Sequence, residues 1–257
     1  IFIYIIDIFI YICLYIYKYI NYIYKYMIKT FVCNLKRCED RRQYVTNNYP
    51  KSLDIEIFTG YDGHYPENNS IELQNLGIEF KNNIEKNKQK KDITNHWMLN
   101  PFKKGEFGCL VSYLYFLKKF INSNLEIAIF SDDDLSFEEN FSEKLNELIT
   151  NNLPDNFNII YLCAGYARNS HYPNDKKVNN LIYERDLNNI IGDCCCLISK
   201  KGAEIVYDLL MNKFKGNLGR DFAINELCKK YNHKLHIIQP TIVWAALNKF
   251  PTSVQYE

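Results

Sequence analysis

From Met27 onward, short apolar runs alternate with longer amphipathic stretches, and each change of period marks an element. "TFVCNL" (30–35) has the length and apolarity of a buried strand, and "IEIF" (55–58) is a second, closed by the turn signals Gly60, Asp62 and Gly63. Between them, "CEDRRQYVTNN" reads as a charged helix with acids near its start. Residues 66–104 are polar and rich in Lys and Asn, and read as a solvated, mobile loop, with a lid over a substrate as the alternative. "GEFGCLVSYLYFLKKF" (105–120) then puts Phe107, Leu110, Val111, Leu114 and Leu117 on one helical face. The strand "EIAIF" runs into three aspartates, and "FSEKLNELI" follows as an amphipathic helix. "FNIIYLC" (157–163) is a strand, and Gly165 opens a long loop to about residue 190. "GDCCCLIS" (strand), "KKGAEIVYDLLMNKF" and "RDFAINELCKKY" (helices) and "KLHIIQP" (strand) complete the chain. Strands alternating with helices predict an α/β fold: a mostly parallel central sheet flanked by helices.

The first 26 residues obey a different pattern. "IFIYIIDIFIYICLYIYKYINYIYKY" is almost wholly Ile, Tyr, Phe, Lys and Asn. As a membrane anchor it is interrupted by Asp7, and its charge-free run from Ile8 to Tyr17 falls short of the roughly 20 residues a spanning helix needs. As a signal peptide it lacks a basic start and a small-residue cleavage site. The composition is what A/T-only codons supply, and Met27 directly precedes the first patterned strand. Residues 1–26 therefore read as a hydrophobic leader of upstream read-through, with an anchor as the alternative, and residues 27–257 as one domain.

Composition narrows the classes of function. Lys and Arg number 31 against 30 Asp and Glu, for a net charge of +1, so no basic stripe for nucleic acid is expected. Nine cysteines show no paired C-x-x-C spacing for zinc. Cys194, Cys195 and Cys196 read as small buried residues of a strand, and a reducing, cytoplasmic compartment is expected. His64, His96 and His171 fall in loops and His233 and His236 flank a strand, without the spacing of a zinc helix. Cys109 has no activating base nearby in sequence and reads as packing. Trp97 and Trp244 read as packing residues rather than sugar platforms.

The candidate chemistry lies in "IAIFSDDDLSF" (127–137), where a buried-looking strand ends in Asp132, Asp133 and Asp134. Ligands of open α/β sheets bind outside the carboxyl ends of strands. Carboxylate oxygens suit a hard divalent cation, magnesium or manganese, which would relieve the mutual repulsion and neutralise a diphosphate. In an extended segment the D-x-D pair Asp132 and Asp134 would project to one side. The plainer reading is an exposed acidic turn.

These residues also resemble a family. "FVCNLKRCEDRR" looks like the I-N-L-x-R-x-x-D-R signature of glycosyltransferase family 25, which contains lipooligosaccharide β-galactosyltransferases and collagen hydroxylysine galactosyltransferases. "IFTGYDGHY", "KKGEFGCLVSY", "IAIFSDDDL", "NIIYLC" and "GDCCCLISKKGAEIV" resemble its further motifs, in family order over residues 31–230. The resemblance implies a GT-A-like nucleotide-binding domain, a UDP-sugar donor, Mn2+ or Mg2+, and inverting transfer. It implies that Asn34, Arg37 and Arg41 belong to the first βα unit holding the nucleotide. Asp62 and Gly63 match the D-G turn beside it, and Glu106, Gly108, Cys109 and Ser112 the helix lining the donor pocket. Asp132 replaces a glutamate and, with Asp134, is the implied metal pair; Asp133 is placed on the catalytic side. Tyr113 stands where the family usually has histidine, and Cys196 where it often has tyrosine, which leaves the donor sugar open.

The reaction so implied moves a hexose, galactose or glucose, to an acceptor hydroxyl of a glycan, lipooligosaccharide or hydroxylated peptide, through an oxocarbenium-like transition state. A carboxylate must take the hydroxyl proton. Asp221, in "GRDFAIN", is the first candidate and matches a later acidic position of the family; Asp193 is the second. A helix-start carboxylate stabilised by the dipole is the plainer reading of Asp221, and a surface charge that of Arg37 and Arg41. A catalytically weakened nucleotide-sugar-binding protein of the same fold is the alternative. A nucleotidyltransferase is disfavoured because "NLKRCEDRR" lacks a Gly-rich phosphate loop. Membrane association would depend on residues 1–26.

Overall fold

A computed structural model of the chain describes residues 28–88, 103–163, 174–188, 194–216, 218–246 and 249–250. The elements, in order, are β1 (Lys29–Asn34), α1 (Glu39–Asn48), β2 (Asp54–Thr59), α2 (Ile71–Lys88), α3 (Lys104–Ile121), β3 (Ile127–Asp132), β4 (Leu135–Phe137), α4 (Phe141–Glu147), β5 (Ile159–Tyr161), β6 (Lys176–Lys177), β7 (Ile182–Glu184), β8 (Cys195–Ser199), α5 (Lys200–Asp208), α6 (Arg220–Lys230), β9 (His236–Ile238) and β10 (Val243–Ala245).

Eight strands form one sheet in the order β2-β1-β3-β8-β5-β9-β7-β6. β2, β1 and β3 are parallel neighbours, β8 runs against both β3 and β5, and β9 is again parallel to β5. β7 is antiparallel to β9, and β6 to β7. All strands of this sheet except β8 and β7 therefore point the same way, which agrees with the α/β, mostly parallel reading. The pleat separates the two cores. Phe31, Phe130, Cys196, Ile198 and Ile237 pack on one face with α2, α3, α5 and α6. Their chain neighbours Val32, Ile129, Cys195, Leu197 and Ile238 pack on the other with α1 and α4. Apolar burial on both faces is why these strands read as continuous apolar runs rather than as alternating ones.

Three parts of the sequence reading are corrected. The polar stretch taken as a loop from residue 66 contains α2. Its buried Leu73, Leu76, Phe80 and Ile84 follow helical spacing beneath Lys, Asn and Glu positions that face outward. The charge-rich composition concealed a narrow apolar stripe. The remainder of the proposed lid, residues 89–102, lies outside the described residues. The long loop expected after Gly165 holds β6 and β7, and a small second sheet pairs β4 antiparallel with β10. Runs of two or three residues are too short to show a period. Finally, Cys195 and Cys196 are buried as expected, whereas Cys194 is bonded to Cys163, 31 residues earlier.

Candidate functional site

The parallel register places Asn34 opposite Thr59 and Cys33 opposite Asp132, so β1, β2 and β3 end side by side. The segments leaving these three strands therefore converge: the turn into α1, the Gly60–Gly63 loop and the aspartates. Asp132 is the last residue of β3, held there by its backbone N–H donating to the Cys194 carbonyl at 2.9 Å.

Asp133 points inward and is buried. Its Oδ2 accepts from Asn34 Nδ2 at 2.7 Å and its Oδ1 from Arg41 Nη1 at 3.1 Å. The same Nη1 reaches Asp134 Oδ2 at 2.9 Å. Two adjacent side chains meeting at one nitrogen require a bend after β3, so Asp134 lies beyond the extended part of the strand. Arg41 reaches the site from the first turn of α1, between the aspartates and the ring of Phe250, 5.4 Å from its centroid.

Asp132 instead receives a two-toothed clamp. Arg220 Nη1 and Nη2 donate to its Oδ1 and Oδ2, both at 3.1 Å. Arg220 Nε also donates to Asp221 Oδ1 at 3.3 Å. The guanidinium is buried over Phe130 and Tyr113, 5.0 and 5.7 Å from their centroids. Glu106 lies beside this helix start: a Cβ on Gly219 would stand 3.8 Å from its Cγ.

Four carboxylates, Asp132, Asp133, Asp134 and Asp221, thus share two guanidiniums. Burial, then the charge of Asp132, pushes Asp134 up to about 6. Burial also raises Asp133, against the pull of Arg41 and Asn34. Burial takes Cys109 up to about 12, so its thiol stays protonated, in line with a packing role.

The other expected residues have partners within the fold. Arg37 donates from Nε to Asp62 Oδ2 at 2.6 Å. Asp62 also accepts the His64 backbone N–H on Oδ1, and its own N–H goes to Asn69 Oδ1, which fixes the loop. Gly63 and Gly108 explain the D-G and G-E-x-G pairs sterically: a Cβ on Gly63 would fall 1.9 Å from the Lys104 carbonyl oxygen, and one on Gly108 2.8 Å from that of Tyr61. Ser112 Oγ donates to the Gly108 carbonyl and accepts the Tyr61 N–H, each at 2.7 Å. These groups tie the loop after β2 to α3. Asn34, Arg41, Asp133 and Asp134 form one cluster; Asp132 and Asp221 are joined to each other through Arg220. Asp193, His96, His171 and Trp97 lie outside the described residues. Trp244 belongs to β10, paired with Ser136.

Sequence reasoning missed Arg220. The signal was available: three adjacent acids at a buried strand end need counter-charges, and an arginine directly precedes the candidate base in "GRDFAIN". Two of the three family departures meet in the core: Tyr113 Oη and Cys196 Sγ lie 3.8 Å apart, and the Tyr113 ring lies under Arg220.

Among the described residues, no three His, Cys, Asp or Glu side chains converge as a metal cluster. Asp132 and Asp134 are the pair on offer. Mg2+ and Mn2+ are commonly held by one or two carboxylates, with waters and substrate phosphates completing the shell. The incompletely neutralised charge on Asp134 fits such an ion.

The carboxylate–guanidinium cluster lies at the carboxyl ends of the parallel strands, where open α/β sheets bind their ligands, which gives a fold compatible with a GT-A-like domain. The sequence comparisons then supply the family. The profile of glycosyltransferase family 25 (LPS biosynthesis protein) matches residues 27–215, and the chain belongs to that family. The match covers the acidic triplet and stops short of Arg220 and Asp221. The chain is similar to procollagen galactosyltransferase 2 of Homo sapiens, with 30% identity over 122 residues, 47% of this chain and 18% of the human protein. It is 28% identical to the Mus musculus protein of that name over 120 residues, 46% of this chain and 17% of the relative. Procollagen galactosyltransferase 1 of Danio rerio is 27% identical over 122 residues, 47% of this chain and 18% of that protein. The aligned part is thus under a fifth of the length of these relatives.

Proposed function

We propose that this chain is a hexosyltransferase that moves galactose or glucose from a UDP-sugar to a hydroxyl of a glycan, a lipooligosaccharide or a hydroxylated peptide, with inversion at the anomeric carbon. The observation that carries the reading is the Asp132–Asp134 cluster at the end of β3, flanked by Arg41 and Arg220, in a chain of family 25. Similarity to procollagen galactosyltransferases supports galactose and an acceptor hydroxyl.

Asp132 and Asp134 are the side chains that would hold Mn2+ or Mg2+, which when bound supplies Lewis-acid stabilisation of the departing diphosphate. Asn34 and Arg41 fix Asp133 by both of its oxygens, so this carboxylate acts by placing Arg41 and the bend that carries Asp134. Asp221 takes the proton of the acceptor hydroxyl; Arg220 Nε on its Oδ1 orients the carboxylate. Arg37 and the Asp62–Gly63 turn form the rim beside the nucleotide, and Glu106 and Ser112 border it from α3. Among the described residues, no helix is long and apolar enough to cross a membrane. Disulfides persist in oxidising surroundings, so in the cytoplasm expected from the sequence the Cys163–Cys194 pair would stand reduced.

The test is a panel of UDP-sugars assayed with Mn2+ for donor hydrolysis and for transfer. Turnover of UDP-galactose or UDP-glucose that disappears in EDTA and in Asp134→Ala is expected. Asp221→Asn should lower kcat by about 100-fold or more while leaving UDP affinity within a few-fold. Equal losses of both would move the base elsewhere. Donor binding without any hydrolysis or transfer would favour the nucleotide-sugar-binding alternative, to which the clamp on Asp132 lends its support.

A further inference from the structure

Arg220 joins the two halves of the site. Its terminal nitrogens clamp both oxygens of Asp132, its Nε holds Asp221, and its flat face rests on Phe130 and Tyr113. A cation seated on Asp132 needs the oxygens that Arg220 occupies. The two therefore compete, and the guanidinium must find another partner when the cation wins.

We propose that Arg220 holds Asp132 while no donor is bound and passes its two terminal N–H groups to the nucleotide diphosphate when a divalent cation takes Asp132. This rests on the reading of Asp132 and Asp134 as cation ligands. Three observations carry it. A guanidinium fork fits two phosphate oxygens as well as it fits a carboxylate, so the exchange preserves the geometry of the donors. The aromatic floor and Asp221 anchor the rest of the side chain, so only the far end of the guanidinium changes partner. The charges also bear on it: Asp132, Asp133, Asp134 and Asp221 against Arg41 and Arg220 leave two negative charges, which a divalent cation cancels, so that a diphosphate no longer meets a net negative cluster. Arg220 is then a contact of the donor, and its position directly before Asp221 would couple donor arrival to the setting of the base.

The experiment measures two affinities in wild type, Arg220→Met and Arg220→Lys: Mn2+ alone, by electron paramagnetic resonance of the free ion, and UDP in saturating Mn2+, by calorimetry. Arg220→Met should bind Mn2+ alone about threefold tighter or more, because Asp132 is released, and should bind UDP about tenfold weaker or more, because a charge-assisted fork is lost. Arg220→Lys should shift both in the same directions by less. A residue that only supports the fold would weaken both together, and that result, or an unchanged UDP affinity, overturns the proposal. Asp134→Ala separates the two readings. If wild type binds Mn2+ no better than Asp134→Ala, the cation reading fails and the exchange with it. If the cation binds through Asp134 but the two affinities of Arg220→Met do not move apart, the exchange alone fails.

Discussion

Asp132, Asp133 and Asp134 are neighbours in the chain with three different tasks. Asp133 is spent on Asn34 and Arg41, Asp132 on Arg220, and Asp134 shares an Nη1 that Asp133 already holds. Asp134 consequently bears the unrelieved repulsion, and burial pushes it up to about 6. A carboxyl raised in the folded state is destabilising once ionised: the penalty grows from the unfolded value of about 3.9 and is complete above the folded value. Asp134→Asn should therefore raise stability at pH 7 by about 1–3 kcal/mol in urea unfolding, since Arg41 keeps Asp133, while turnover is lost. No gain at pH 7 would mean that water or another group already neutralises Asp134. The triplet itself was legible in the sequence, because three like charges after an apolar run demand an explanation. The division of labour was not, because it depends on Arg220, 88 residues away.

At the scale of elements, the site depends on how closely the loop after β2 approaches α3. Gly63 and Gly108 bring backbone against backbone, and Ser112 closes the junction by accepting the Tyr61 N–H. Gly63→Ala would press its Cβ onto the Lys104 carbonyl, which is main chain and has no flexible end to yield. A loss of about 1–3 kcal/mol or more is expected in urea unfolding, because the N-terminal turn of α3 must move; an unchanged midpoint would show that the junction is loose. Helices α3, α5 and α6 and strands β1, β3 and β8 were readable because burial leaves long apolar runs or a wide stripe. α2 was not, because Leu73, Leu76, Phe80 and Ile84 are thinly spread among charges. β4 and β10 exist by pairing with each other, which no local pattern records.

Across the whole molecule, the sheet carries the acidic site at one end of β3 and extends through β8 and β5 to β9. His236 of β9 is buried, its Nδ1 has no hydrogen-bond partner among the described residues, and burial lowers its pKa below the ordinary value of about 6.5. Below that value the unfolded chain takes up a proton that the folded chain resists, so this group removes stability as pH falls from about 6.5 through the folded value. His236→Leu should flatten the stability profile between about pH 7 and pH 5 relative to wild type, measured by urea unfolding at several pH values; parallel profiles would exclude His236 as a source of acid sensitivity. The sequence by itself determined the α/β order of elements, the family motifs and the position of the acidic triplet, because apolar period and like-charge clustering are local properties of the chain. Only the tertiary structure decided that β8 runs against its neighbours, that Asp133 is buried, that Tyr113 meets Cys196, and that Arg220 clamps Asp132. Each of these is a contact between distant segments, set by which charges and faces must be buried together when the sheet closes.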